Sequence, residues 1–197
     1  MNIILDELPE TVMVNGSSYF IDTDFRTFII FEKIILDPNL GAREKVGRML
    51  ELCYTEGVPD DIQSACDAIF DMYRCGAPQK AEHAQQKNGN VTIRQKRIFD
   101  YEIDAPYIYG AFLAQYGIDL NEIEYLHWWK FQALFKSLNS SNKIVEIMSY
   151  RMQDLGEIEN DKERNRIARL QRIYALPQNF TQEEKIAMAG AVFGGMA

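Results

Sequence analysis

Ile123-Glu124-Tyr125-Leu126-His127-Trp128-Trp129-Lys130-Phe131-Gln132-Ala133-Leu134-Phe135-Lys136-Ser137-Leu138 is the stretch on which the fold turns. Its large apolar side chains cover nearly the whole circumference of a helix drawn through them, so it is expected to lie at the centre of a helical protein, packed on several sides. Asp119 followed by Glu122 makes an acidic variant of a capping box, which predicts one helix from there to about Leu138. Upstream, Asp104 with Pro106 opens another helix, and Gly117 stands where a left-handed C-terminal residue belongs. Downstream, Ser141 precedes the run Ile144, Ile147, Met148 and Leu155. A charged helix follows from about Asp161 to Tyr174 and is stopped by Pro177.

Further towards the N-terminus the period changes. Val12 and Val14 alternate up to Asn15-Gly16 and continue as Ser18 and Phe20, and Asn-Gly supplies the positive φ angles of a two-residue type I′ turn. Three amphipathic helices are predicted after this hairpin. The first is capped by Thr23 and runs over Asp24 to Leu36; the second opens at Gly41 and carries Val46, Met49, Leu50 and Cys53. The third starts at Pro59-Asp60, carries Ile62, Cys66, Ile69, Phe70 and Tyr73, and ends before Gly76 and Pro78. The expected fold class is therefore mainly α, a helical domain with one short N-terminal β-hairpin.

Four pieces are expected along the chain: residues 1–76 as hairpin plus helices, 77–97 as a polar linker or long loop, 98–177 as an aromatic-rich helical part, and 178–197 as a C-terminal tail helix. One compact domain overall is the alternative. Lys, Gln, Glu, Asn and Gly dominate the linker. Thr181 and Glu184 form a capping box for the tail.

Composition excludes several classes. The 197 residues are 47% hydrophobic and 25% charged with a net charge of −8, values of a globular protein rather than a disordered one. The longest uncharged apolar run, residues 186–197, is shorter than the roughly 18 residues a membrane-spanning helix needs. Acids at Asp6, Glu7 and Glu10 do not suit a secretion signal, so an intracellular protein is expected. The charge is uneven: 6 basic against 14 acidic residues in 1–76, and 5 against 2 in 77–100.

Candidate chemistry is sparse. No phosphate loop, H-E-x-x-H, G-x-S-x-G or EF-hand pattern occurs. Three cysteines, Cys53, Cys66 and Cys75, read as small core residues; a metal site from Cys66, Cys75 and His83 is the rival reading. Asp100, Glu102 and Asp104 could bind a cation or move protons, but the plainer reading leaves Asp100 and Glu102 in solvent and Asp104 as a helix cap. His127 reads as a hydrogen-bonded core histidine rather than a base. Arg94, Lys96 and Arg97 beside Phe99 and Tyr101 could grip a nucleic-acid strand, but the overall acidity argues against that partner. The expectation is no catalytic residue, no cofactor and no metal.

The order Val12-Met13-Val14-Asn15-Gly16, Tyr19, Ile21, Asp22-Thr23-Asp24-Phe25-Arg26, Phe31-Glu32, then Phe70, Tyr73 and Cys75-Gly76, resembles the bacteriophage "Gp-fifteen" proteins of tailed phages and prophages of Gram-positive bacteria. The second half carries the resemblance further. Asp100-Tyr101-Glu102, Asp104-Ala105, Tyr107-Ile108-Tyr109, Phe112, Gln115-Tyr116-Gly117-Ile118-Asp119-Leu120 and Leu126-His127-Trp128-Trp129-Lys130-Phe131 look like that family's signature. It continues through Met148, Tyr150-Arg151 and Asp154-Leu155 to Tyr174-Ala175-Leu176-Pro177.

The resemblance implies a non-enzymatic tail assembly chaperone that transiently binds the tape-measure protein in the cytoplasm of the bacterial host. It would leave as tail-tube subunits polymerise. A structural or connector component retained in the virion is the alternative. The implied partners are the tape-measure protein and the tail-tube protein, with a homo-oligomer left open and neither nucleic acid nor membrane expected. Candidate partner-binding residues are Tyr107, Tyr109, Tyr125, Trp128, Trp129 and Phe131, a set expected to be divided between core and contact face.

Overall fold

The structure, a computed structural model, describes residues 2–77 and 97–176. The linker expected at 77–97, apart from its two end residues, and the tail helix expected at 178–197 lie outside the described residues. The elements are β1 (Thr11–Val14), β2 (Ser17–Phe20), α1 (Phe25–Leu36), α2 (Ala42–Cys53), α3 (Ile62–Tyr73), α4 (Ala105–Tyr116), α5 (Trp128–Lys136), α6 (Lys143–Met152) and α7 (Asp161–Ile173), with a 3-10 turn at Leu155–Glu157. The fold is mainly α with a two-stranded antiparallel hairpin. No helix among the described residues is long and apolar enough to cross a membrane. The described chain divides into two units, residues 2–77 with Tyr125–Phe131, and residues 97–124 with 132–176.

In the first unit the hairpin turns at Asn15 and Gly16, whose φ values of 49° and 81° suit a type I′ turn. Strand register pairs Thr11 with Phe20 and Val14 with Ser17. Val14 faces the core while Met13, one residue away, faces solvent, as the two-residue strand period demands. The cap of α1 is Asp24 rather than Thr23: the Asp24 carboxylate accepts the Arg26 N–H at 2.9 Å, while the Thr23 hydroxyl lies 2.6 Å from the Tyr125 hydroxyl. Phe25, Phe28 and Phe31 of α1, Met49 and Leu50 of α2 and Cys66, Ile69 and Phe70 of α3 form the core.

Tyr125–Phe131 joins this unit through the backbone. The Phe25 N–H donates to the Leu126 carbonyl at 2.9 Å and the Trp128 N–H to the Thr23 carbonyl at 2.8 Å, making a short bridge between Asp24 and His127. The long helix expected from Asp119 is therefore interrupted. Asp119 accepts the N–H groups of Asn121 and Glu122 in a local turn, the chain runs extended through Leu126, and α5 starts only at Trp128.

The second unit packs α4, α6 and α7 around Ile108, Phe112, Ile144, Ile147 and Ile167, all buried. Gly117 ends α4 in the left-handed conformation with φ 66°, as its position predicts. The Tyr116 hydroxyl donates to the Leu134 carbonyl, and the Asn160 side chain caps α7 by accepting the N–H groups of Lys162 and Glu163.

Candidate partner-binding surface

The two tryptophans define the surface because of what they do to the end of α3. A helix leaves its last four carbonyls without intrahelical donors. Here the Trp128 indole N–H donates to the Tyr73 carbonyl and the Trp129 indole N–H to the Met72 carbonyl, each at 2.8 Å. Trp128 then stacks on Phe28, Tyr73 and Phe131 at centroid separations of 5.3, 5.6 and 5.7 Å. Phe131 in turn stacks on Phe25 at 4.9 Å. Both Trp128 and Phe131 are buried, so they are core side chains and leave the candidate contact set.

Trp129 is different. It is only half-buried, and its ring borders an open cleft of about 290 Å³ together with Pro9, Thr11 and Met13 on one side and Ala68 and Met72 of α3 on the other. Gly76 also lines this cleft with φ 65°, and a Cβ placed there would meet the Trp129 ring at 3.4 Å. A substitution would therefore strain the backbone, while its Cβ would rest in van der Waals contact with the ring. The cleft lies within the first unit, and its lining is largely apolar.

Tyr125 is exposed, with its hydroxyl held by Thr23. Tyr107 and Tyr109 belong to the second unit. Tyr107 is exposed and meets Tyr174 edge-on at 6.3 Å, whereas Tyr109 is half-buried and donates its hydroxyl proton to Asp119 at 2.8 Å. That hydrogen bond raises the Tyr109 pKa; the Asn121 N–H first, and the Tyr109 hydroxyl second, lower that of Asp119. Among the six residues, Tyr125, Trp128, Trp129 and Phe131 are thus gathered in one unit, and Tyr107 and Tyr109 stand in the other.

Met13, Met72 and Pro9 are the residues of this surface that sequence reasoning missed. Met13 sits on the solvent face of the alternating strand and was legible as such. Met72 carries no such signal, since its position beside Trp129 depends on a contact 57 residues away along the chain.

Of the residues weighed for chemistry, His127, Cys53 and Cys66 are buried, Cys75 is half-buried rather than a core residue, and His83 lies outside the described residues. His127 is buried, donates from Nε2 to the Pro9 carbonyl at 3.1 Å and accepts the Trp129 N–H at Nδ1 at 3.0 Å, which makes it a neutral, hydrogen-bonded core histidine. Burial, aided by Lys130, pushes its pKa below the ordinary value. Cys53 and Cys66 are buried thiols; burial first, and Asp67 second, raises Cys66 to about 12, far from the thiolate a nucleophile needs.

Of Asp100, Glu102 and Asp104, Glu102 is exposed as the plain reading expects, and the two aspartates depart from it. Asp100 and Asp104 are buried, not solvated. Asp104 makes no capping hydrogen bond to α4; its two carboxylate oxygens hold Arg151 at 2.6 and 2.9 Å and accept the Asp100 N–H. Arg151 also donates to the carbonyls of Ile98 and Tyr174 at 2.9 and 2.7 Å, and Asp100 pairs with Arg97. Arg97 is thereby committed to an internal ion pair, while Arg94 and Lys96 of the same basic cluster lie outside the described residues. Among the described residues, no group of three or more His, Cys, Asp or Glu side chains is arranged to hold a metal.

Compared with known protein families, residues 4–176 match the profile described as Bacteriophage Gp15 protein. No curated protein and no solved structure matches the chain.

Proposed function

The chain belongs to the bacteriophage Gp15 family and is a phage protein, and from that premise we propose that it is a tail assembly chaperone that transiently binds the tape-measure protein in the cytoplasm of the bacterial host. It acts by binding and release, without catalysis. The observation that carries this reading is the open apolar cleft beside β1, where half-buried Trp129 and exposed Met13 offer adaptable contact area. A shallow surface of this kind suits weak, replaceable contacts. Repeated along an elongated client they add up to avidity, and they yield when tube subunits compete for the same client.

The test is co-expression with the tape-measure protein, followed by pull-down and a solubility comparison with and without this chain. The expected outcome is a soluble complex that dissociates on addition of tail-tube protein. Absence of a complex, together with detection of the chain in purified virions by mass spectrometry, would overturn the proposal in favour of a structural tail component.

A further inference from the structure

The cleft has a wall made of main chain. In an antiparallel pair, residues alternate between those that exchange hydrogen bonds with their partner and those whose N–H and C=O point the other way. Ile21 donates its N–H to the Glu10 carbonyl at 3.1 Å. With the register of the hairpin, that bond places Val12 opposite Tyr19 and Val14 opposite Ser17 in the bonded class. The N–H and C=O groups of Thr11 and Met13 therefore point away from β2, on the open edge of β1. No hydrogen bond among the described residues uses them.

The other edge of the hairpin is paired at its Phe20 end. Thr55 donates its N–H to the Phe20 carbonyl at 3.2 Å, and Ile21 bridges to Tyr54. Among the described residues the β1 edge carries no main-chain hydrogen bond and lies beside an apolar cleft. An unpaired strand edge beside such a cleft is the arrangement by which proteins accept an extended peptide as an added strand.

Charge says what kind of segment fits. Residues 2–77 carry 14 acidic against 6 basic side chains. Glu7 and Glu10 are exposed just before β1, and Asp71 lines the cleft, paired with Arg74. A second copy of this acidic unit would meet its own repulsion, whereas a basic segment would be drawn in.

We propose that the open edge of β1 docks an extended, positively charged segment of a partner protein, which adds as a third strand along Thr11–Met13. Its alternate apolar side chains fall against Ala68, Met72 and Trp129. The identity of that partner as the tape-measure protein rests on the chaperone reading above; the strand edge and the charge are independent of it.

The test uses overlapping synthetic peptides covering the tape-measure sequence, measured against the full chain, with the full-length tape-measure protein assayed in parallel. Binding is expected to concentrate in peptides that alternate apolar residues with Lys or Arg, and to weaken as salt is raised. N-methylation of alternate backbone nitrogens in the best peptide should weaken binding about tenfold or more, since it removes the donors a strand needs. Met13→Pro, which deletes an outward N–H and leaves the hairpin's own bonds, should do the same. The N-methylated peptide keeps the test intact should that variant fail to fold.

Full-length tape-measure binding that Met13→Pro leaves unaltered, together with peptide binding that N-methylation leaves unaltered, would overturn the strand-addition proposal and leave the chaperone reading standing. No binding of the full-length protein would overturn the chaperone reading, and no binding of any peptide would overturn the strand-addition proposal as well. A homodimer that Met13→Pro dissociates would assign the edge to a second copy, also overturning the proposal.

Discussion

The first unit is held by stacked rings and the second by a buried ion network. In the first, Trp128 lies among Phe28, Tyr73 and Phe131, and its one polar atom is satisfied by a helix-end carbonyl. In the second, Arg151 gathers Asp104, Ile98 and Tyr174 around a guanidinium that is almost wholly buried. Stacked apolar rings gain from leaving water whatever their exact partners. A buried charge is costly unless each donor finds its acceptor, so the second unit depends on geometry where the first depends on area.

The largest effect that could break this contrast is at Trp128. Trp128→Ala is expected to cost about 4 kcal/mol through the cavity it leaves, read by chemical denaturation, and a loss below about 1.5 kcal/mol would show that the stack is not the centre of its unit. Trp128→Phe sharpens the point, because it keeps most of the stacking and deletes the bond to Tyr73.

Next comes Arg151→Met, expected to cost about 3 kcal/mol by leaving Asp104 buried without its partner. Here the informative variant is the double one. Arg151→Met with Asp104→Leu should recover most of the loss; if it does not, the network contributes attraction beyond mutual neutralisation.

A smaller effect separates the units by pH. Burial holds the folded His127 pKa below its unfolded value, so the unfolded ring takes up a proton first as pH falls. Its contribution to stability is complete above about pH 6.5 and declines as the pH drops towards the lowered folded pKa. Thermal unfolding of wild type should therefore fall between about pH 7 and pH 5 more steeply than that of His127→Gln; parallel curves would remove the histidine from the account.

The smallest effect is Met13→Ser. Met13 is 62% exposed, so stability should change by less than about 0.5 kcal/mol, while tape-measure capture weakens if the cleft is the contact face. Unchanged capture in a pull-down would move the contact away from β1.

Much of this architecture was legible in the sequence because it is local. Asn15-Gly16 demands the turn, the strand alternation before it puts Val14 inside, and Gly117 ends α4 where its conformational freedom is used. The family resemblance was also carried by short runs of residues, and the family match over residues 4–176 bears it out. What stayed hidden was long-range. The period through Ile123 and Leu126 suits a helix, yet Leu126 and Trp128 bond to Asp24 and Thr23 about a hundred residues earlier in the chain, and tertiary pairing overrides local propensity there. Asp104 likewise has the position of a helix cap, and only the return of α6, 47 residues on, brings Arg151 to it. The division of the six aromatic candidates followed the same rule: spacing placed Trp128, Trp129 and Phe131 on a helix, and only packing showed that Trp129 alone of the three keeps an open side.

Both tryptophans of the chain sit at the end of α3, one sealed inside and one beside the cleft. With excitation selective for tryptophan over the ten tyrosines, the protein thus carries an intrinsic optical probe at this one place. Trp128 supplies a steady blue-shifted emission that reports whether the unit is folded. The variable part of the fluorescence belongs to Trp129, so a ligand entering the cleft would register as a spectral shift without any label.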